Sequence, residues 1–258
     1  MKVHHHLTHI EEYLQEQSGI RPEEMESQFK KTVLRIKKFK VITSDTKILE
    51  IGTGSGWFPI LCKKNGIHCE GLEICPQFVE YAKRLGHQYD VEPDIRLGNI
   101  EDSDIGSSKY DVIIALSTFE HVEHWRMGIQ KVFDALKPEG LFYFYSTNKF
   151  SLVSGESAFP CYGWLPDKWR YWIQTFRRGE DIMKLGIDFN QFNHFQLKRF
   201  FVATGFSKVY NQFEVVDSHN LITLTSWKRA VLEMIQNFKP LKAIALVFSP
   251  GTLFMCIK

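Results

Sequence analysis

The chain has 258 residues, 44% of them hydrophobic and 24% charged, a balance that supports one substantial folded core and excludes a disordered chain. Its formal net charge of +2 creates no field suited to a polyanion, so nucleic acid is not an expected partner. Five cysteines (Cys62, Cys69, Cys75, Cys161, Cys256) form no CxxC pair and lack metal-ligand spacing, which fits reduced thiols in a cytoplasmic protein.

No run approaches the roughly 18 apolar residues of a membrane span, and the N-terminus lacks a leader's apolar region. His4-His5-His6 carries no functional argument. Residues 7–40 read as two helices divided at Gly19–Pro22, the second with an apolar stripe through Met25, Phe29, Val33 and Ile36. The basic stretch from Lys30-Lys31 to Lys40 is the wet face of that helix. A strand, Lys47–Ile51, runs into glycines and then an apolar helix to Lys64. Gly66 stops that helix, and Ile67–Glu73 forms a second strand. Pro76 opens a helix with the stripe Phe78, Val79, Ala82 and Leu85, expected to end at Gly86. Strands follow at Asp94–Leu97 and at Tyr110–Leu116, the latter apolar nearly throughout, as a central parallel strand is. A helix over about 126–136 precedes a strand at Leu141–Ser146.

Strands alternating with helices at this spacing predict an α/β doubly wound, mostly parallel, seven-stranded sheet in a single domain. Residues 150–190 break the alternation. They are rich in aromatics, Gly and Pro, and read as an inserted cap in which most rings pack and one or two touch substrate. Arg170, Arg177 and Arg178 in the cap offer a hold for an acidic substrate group, but solvation is the default expectation for them. The pattern resumes with a helix at about 194–204, a strand at Ser207–Val215, a helix near 226–238 and a last strand at Thr252–Ile257.

The turn Glu50-Ile51-Gly52-Thr53-Gly54-Ser55-Gly56 joins the first strand to the first helix of the sheet, and its glycines let a ligand lie against bare backbone at a helix N-terminus. Glu73 ends the second strand, 21 positions after Gly52, where a carboxylate accepts hydrogen bonds from ribose hydroxyls. The dinucleotide fingerprint requires a further glycine where this chain has Trp57. Glu50 beside the turn would repel a pyrophosphate but suits a cationic sulfonium ligand. S-adenosylmethionine is therefore the expected cofactor.

The same residues carry a resemblance to the class I S-adenosylmethionine-dependent methyltransferases. Ile48–Gly56 resembles their first motif and Gly71-Leu72-Glu73-Ile74 their acidic second one. Leu97–Asp102 resembles the third, with Asn99 where aspartate is usual. Lys109–Ala115 with Phe119-Glu120-His121-Val122 resembles the fourth, and Ala135–Gly140 with Ser146-Thr147-Asn148 the fifth. His194-Phe195, Leu197, Phe200 and Ala203–Phe206, with Asn148–Phe150 and Gly163–Pro166, are similar to the ubiquinone-biosynthesis O-methyltransferase group. The resemblance implies a Rossmann-like methyltransferase fold with an aromatic-rich cap. It implies a cofactor site of Glu50, Gly52, Gly54, Gly56, Glu73, Ile74, Asn99, Ile100 and Ser117.

Relatives often carry a glutamate just after the fourth strand, where this chain reads Leu116-Ser117-Thr118, and Glu120, His121, Glu123 and His124 do not converge as a ligand set, so no metal is expected. A hydroxyl acceptor must lose a proton, for which His121 and His194 are the candidate bases; a carboxylate acceptor needs only orientation. Tyr162, Trp164 and Asn193 are the candidate substrate contacts. The expected activity is O-methylation of a small aromatic or apolar phenol or acid. N- or C-methylation, and a non-catalytic cofactor-binding protein, are the alternatives. The oligomeric state is left open.

Overall fold

The computed structural model describes residues 19–153, 160–178, 190–215 and 225–258; the first expected helix and part of the cap, with Phe159, lie outside them. In chain order the elements are α1 (Pro22–Lys37), β1 (Lys47–Ile51), α2 (Trp57–Lys64), β2 (His68–Glu73), α3 (Pro76–Gln88), β3 (Asp94–Leu97) and β4 (Tyr110–Leu116). They continue with α4 (Trp125–Ala135), β5 (Leu136–Thr147), α5 (Asp167–Arg178), α6 (His194–Thr204), β6 (Lys208–Asn211) and the single turn α7 (Gln212–Val215). The last are α8 (Ser226–Asn237), α9 (Lys239–Phe248) and β7 (Gly251–Ile257). The seven strands form one sheet in the order β3-β2-β1-β4-β5-β7-β6. β1 to β5 are parallel, and β7 runs antiparallel to both β5 and β6.

Side chains alternate across a strand, so each central strand feeds two cores. Ile48, Val112, Ile114, Leu141, Tyr143, Leu253 and Met255 meet Met25, Phe29, Val33 and Ile36 of α1 and Phe58 and Leu61 of α2. Leu49, Ile113, Ala115, Phe142, Phe144, Phe254 and Cys256 meet Trp125, Ile129 and Val132 of α4 and Leu197 and Phe201 of α6. The second core is an aromatic layer. Phe144 lies 5.4 Å from Phe201, 5.8 Å from Phe119 and 6.0 Å from Phe192, ring centre to ring centre.

Several boundaries differ from the sequence reading, each for a local reason. α3 passes through Gly86 to Gln88, because Gly86 is a packing glycine: a Cβ there would stand 2.6 Å from Pro93 Cδ and from the Val91 carbonyl oxygen. β5 begins at Leu136, which pairs with Tyr110 across a register shift. β6 stops at Asn211, whose amide donates to Glu214 Oε2 while its side-chain oxygen accepts from Phe213 N–H; this local bonding diverts the backbone into α7. α9 is a helix that the sequence reading did not assign. In the cap the expected roles are exchanged. Arg170 is buried, its guanidinium 2.6 Å from Asp167, while Trp169, Trp172 and Phe176 are exposed.

His194 belongs to the aromatic layer. It is 3% exposed, and its ring stacks on Phe254 with centres 4.7 Å apart and planes 14° from parallel. Burial, reinforced by Lys198, pushes its pKa down to about 4. The folded ring is therefore neutral where an unfolded histidine, with pKa near 6.5, takes up a proton. The depressed value makes this contribution complete above about pH 6.5, and it is lost as pH falls through the folded value near 4. His194→Phe keeps the stack without the titration. Its stability in urea should fall less than the wild type's between those pH values, by on the order of 2–3 kcal/mol; parallel profiles would show that the imidazole is not buried neutral. Truncation of Phe144 to Ala should cost about 3–5 kcal/mol in the same assay, against about 0.5 for exposed Leu152→Ala.

Candidate functional site

In a parallel sheet wound in both directions, the crevice opens at the carboxyl edge where the strand order reverses. Here that point lies between β1 and β4. The register aligns Ile51 with Leu72 and with Ala115, and Leu116 with Tyr145. The turns after β1, β2, β4 and β5 therefore emerge along one edge.

Gly52 binds back to β2 through its amide, 2.7 Å from the Leu72 carbonyl. A Cβ on Gly52 would stand 2.5 Å from the Thr118 side chain, so this glycine lets the turns after β1 and β4 touch. Thr118 closes the contact by donating its hydroxyl to the Ile51 carbonyl at 2.9 Å. Gly56 starts α2 in a left-handed conformation against Ala82 and Ile95. Gly54 is different: its φ is +54°, and a Cβ built there meets nothing within 4 Å. Its open side is the cradle that a ligand pressed to the backbone requires.

Glu73 organises this turn. Its Oε2 accepts from Gly54 N–H at 2.8 Å and its Oε1 from Cys75 N–H at 3.0 Å, with the half-buried Ile74 supplying a further backbone hydrogen bond. Burial raises its pKa against the pull of those backbone donors. Glu50, on β1 between Gly71 and Ile114, is 5% exposed and its Oε2 has no partner. Burial first, and the Glu73 charge second, push its pKa well up. Thr53 Oγ1 and Ser55 Oγ of the same turn are also buried without partners. Buried polar atoms are normally satisfied, and three orphans around an open glycine mark a place built for a polar ligand. A cationic sulfonium amino acid with ribose hydroxyls supplies the charge that Glu50 lacks and the donors that Glu73 and the two hydroxyls accept; the residues fit S-adenosylmethionine.

The remaining sequence candidates fall in two groups. Asn99 and Ile100 follow β3, with Ile100 buried in the aromatic core. Asn99 is engaged with Glu101, donating from Nδ2 at 2.9 Å and accepting its amide at 3.1 Å. Glu101 in turn accepts from His124 N–H at 2.6 Å. Ser117 is exposed, with a φ of +53°, and its amide donates to Tyr145 O; a non-glycine residue held there stores strain of the kind found at ligand sites. His121 is half-buried at the end of the short turn Phe119–His121. These residues share the carboxyl edge with the glycine turn. His194 sits instead in the aromatic layer. Asn193 caps α6, its Oδ1 accepting from Gln196 N–H at 2.9 Å. Tyr162 is wholly buried, with its hydroxyl on the Arg170 carbonyl, while Trp164 is partly exposed beside Phe150 and Phe248.

Two residues at this edge escaped the sequence reading as site groups. Glu120 is 1% exposed; Ser146 donates to its Oε2 at 2.9 Å, and its Oε1 has no partner. Burial raises its pKa although His121 opposes the shift. Thr147 Oγ1, at the end of β5, is a further buried orphan. The Glu120-His121 pair was visible in the sequence, but which of the two turns inward depends on the turn that carries them.

A family profile described as "Methyltransferase domain" matches residues 10–211, more than three quarters of the chain. The ubiquinone biosynthesis O-methyltransferase of Methylobacterium sp. (strain 4-46) is 26% identical over 125 residues, 46% of this chain and 49% of that protein. The uncharacterized methyltransferase YdaC of Bacillus subtilis is 30% identical over 104 residues, 38% of this chain and 55% of that protein. The chain thus spans about half the length of the curated relatives it matches. Among solved structures, a SAM-dependent methyltransferase from Archaeoglobus fulgidus superposes with a TM-score of 0.56 at 17% identity, covering 91% of this chain and 94% of that one. Phosphoethanolamine N-methyltransferase 2 of Haemonchus contortus, in complex with S-adenosyl-L-methionine, gives 0.56 at 14%, covering 89% of this chain and 52% of that one. The family match, the sheet order and the fit of the glycine turn agree: the chain belongs to the methyltransferase domain family, and its cofactor is S-adenosylmethionine.

Proposed function

We propose that the protein is a methyltransferase that O-methylates a small phenol or carboxylic acid of aromatic or apolar character. The observation that carries the reading is the set of buried, partnerless acceptors around Gly54, namely Glu50 Oε2, Thr53 Oγ1 and Ser55 Oγ, with the Glu73 carboxylate at the end of β2 holding the Gly54 amide. When bound, S-adenosylmethionine supplies an electrophilic methyl group on a cationic sulfur. The chain's own residues do the rest. Glu73 receives the ribose hydroxyls, Gly52, Gly54 and Gly56 give the ligand access to the backbone, and Glu50 offsets the ligand's positive charge. Ile74, Asn99, Ile100 and Ser117 complete the cofactor's surroundings. The resemblance to ubiquinone-biosynthesis O-methyltransferases, and the curated relatives of that name, support oxygen as the acceptor atom.

For a phenol, His121 takes the acceptor proton at its imidazole. It stands at the carboxyl edge, half-buried at the end of the short turn Phe119–His121. His194 is the weaker candidate, because a base with pKa near 4 has little driving force at neutral pH. Trp164 is the cap residue of choice for apolar acceptor contact; Tyr162 and Asn193 serve by holding the cap and α6 in place. The direct assay is S-adenosylhomocysteine formation with a panel of phenols and carboxylic acids. Tight cofactor binding without turnover on any of them would favour a non-catalytic binding protein.

Two sets of variants test the assignment. Glu73→Gln keeps the shape but puts an amide donor against the Gly54 or Cys75 N–H. Gly54→Ala places a methyl in the open cradle. Each should weaken S-adenosylmethionine by at least about tenfold in calorimetry, since hydrogen bonds to a charged acceptor are worth about 1.5–3 kcal/mol. Lys64→Ala, at the far end of α2, should bind normally; equal affinities across the three variants would mean that the turn is only structural. With a phenolic acceptor, His121→Gln should lower kcat by about 10²–10⁴-fold, and its residual rate should climb with pH. A normal kcat and a flat profile would remove His121 from the chemistry.

A further inference from the structure

The segment between β6 and β7 carries its apolar residues outward. None of the twelve residues of α8 is buried. Trp227, Val231 and Met234, at i, i+4 and i+7, form one stripe of the helix, and Phe238 follows just past its end in extended backbone. These four are 64%, 41%, 55% and 59% exposed. The side of α8 that meets the body holds half-buried Leu232, Ile235 and Gln236, with the Gln236 amide donating to the Phe213 carbonyl at 2.8 Å. After Pro240, α9 continues the outward face through Ile244 and Phe248, 55% and 44% exposed, while Leu246 points inward and is buried. A helix on a protein surface ordinarily turns its apolar stripe to the core; α8 reverses that arrangement.

The charges around the stripe are mostly positive. Lys228, on the flank of the stripe, and Lys239, just past Phe238, are exposed, and the Lys228 ammonium lies 5.6 Å from the Trp227 ring centre. Lys242 is paired with Glu214 at 3.0 Å. Glu233 is the acid of the hairpin; at 100° per residue it falls on the flank of α8 away from the stripe. Protein–protein interfaces are depleted in lysine. Aromatic and aliphatic side chains fringed by Lys and Arg are instead the composition of helices that lie in the lipid interface, where the stems follow the apolar face and the cations reach phosphate. No helix among the described residues is long and apolar enough to cross a membrane, so the geometry is that of lying on a bilayer.

We infer that the α8–α9 hairpin is a docking surface for an anionic lipid bilayer. Trp227, Val231, Met234, Phe238, Ile244 and Phe248 enter the boundary between headgroups and acyl chains, and Lys228 and Lys239 meet lipid phosphates. The hairpin is tied to the carboxyl edge of the sheet. Asn148, just past β5, donates from Nδ2 to the carbonyls of Leu246, Val247 and Ser249 at 3.2, 2.8 and 2.9 Å. Trp164 of the cap meets Phe248 at 6.1 Å. Docking therefore brings the edge that bears the glycine turn toward the membrane, and an apolar methyl acceptor dissolved in lipid reaches the cap from that side. This last consequence rests on the methyltransferase reading; the docking does not.

The test uses the full chain without cofactor or acceptor, so that it is independent of the enzymatic reading. In flotation assays the protein should rise with vesicles of equal parts phosphatidylglycerol and phosphatidylcholine. It should partition at least about tenfold less onto phosphatidylcholine alone, and less onto the anionic vesicles as salt is raised. The double variant Met234→Glu, Phe238→Glu should lose at least about tenfold in partitioning, with its melting temperature and S-adenosylmethionine affinity unchanged. Failure of the wild type to float with the anionic vesicles, or undiminished binding of the variant, would overturn the inference. A variant that melts well below the wild type would also overturn it, showing that another part of this chain covers the stripe. So would a wild-type dimer in sedimentation that the variant dissolves, which would make a second copy the occupant.

Discussion

A buried carboxylate without a counter-cation holds the carboxyl edge of this sheet together. Glu73 ends β2, and its two oxygens bind the amides of Gly54 and Cys75, the first beyond β1 and the second at the start of α3. A carboxylate in such a place is tolerated because charge-assisted bonds to backbone N–H groups offset part of the desolvation. The same bonds fix the path of the glycine turn, and hence the direction in which α2 leaves it. Glu50 has no comparable compensation, and the proximity of Glu73 makes its ionisation harder still. A bound cation would give Glu50 Oε2 the partner it lacks among the described residues.

The two faces of the sheet are built for different tasks. The face under α1 and α2 is aliphatic with a few rings, while the opposite face is an aromatic layer in which Phe142, Phe144, Phe201, Phe206 and Phe254 contact one another in edge-on or stacked pairs. A layer of that kind is stiff, since large planar side chains at native density have few alternative rotamers. It carries Phe119 on one side and Phe192 on the other, and these rings anchor the turn after β4 and the segment before α6. The backbone stitches the same two regions together, with Asn190 donating its amide to the Glu120 carbonyl and its side chain to those of Phe119 and Val122. Placement of the Glu120-His121 turn thus follows from this packing together with the contact of Thr118 with the glycine turn.

The antiparallel β7 inserts between β5 and β6 and places the α8–α9 hairpin beside the loop after β5. Asn148, the first residue of that loop, is buried and spends its amide on the carbonyls at the end of α9. Whatever the hairpin touches is consequently felt at the edge of the sheet, through a polar clamp and not through the core. The cap departs from this edge as well, and its exposed Trp172 and Phe176, stacked 5.5 Å apart, add further apolar surface to a molecule whose other helices are conventionally amphipathic.

Local chemistry was enough to define most of the elements. Period and punctuation located β1 to β4, α2, α6 and the start of α1 within a residue or two, because apolar alternation, Pro at helix starts and glycine at turns act over a few residues; α1 ends at Lys37, three residues short of the expected end. Glu73 and the glycines were legible for the same reason: their function depends on spacing along a strand–turn–helix unit. The sequence could not say that Gly54 faces open space while Gly52 and Gly56 face neighbours, because those neighbours, Thr118, Ala82 and Ile95, come from other parts of the chain. Nor could it tell His121 from His194. Both read as helix-starting residues, but His121 closes a short turn while His194 opens α6, and only the packing of α6 against Phe254 puts the latter ring into a dry aromatic layer. The same holds for Arg170, read as solvated and found buried, and for the α8 stripe, whose amphipathic pattern is local but whose outward direction is not. Pattern along the chain determines which residues share a face; which face is covered depends on what distant segments supply, and that is decided only when the sheet closes.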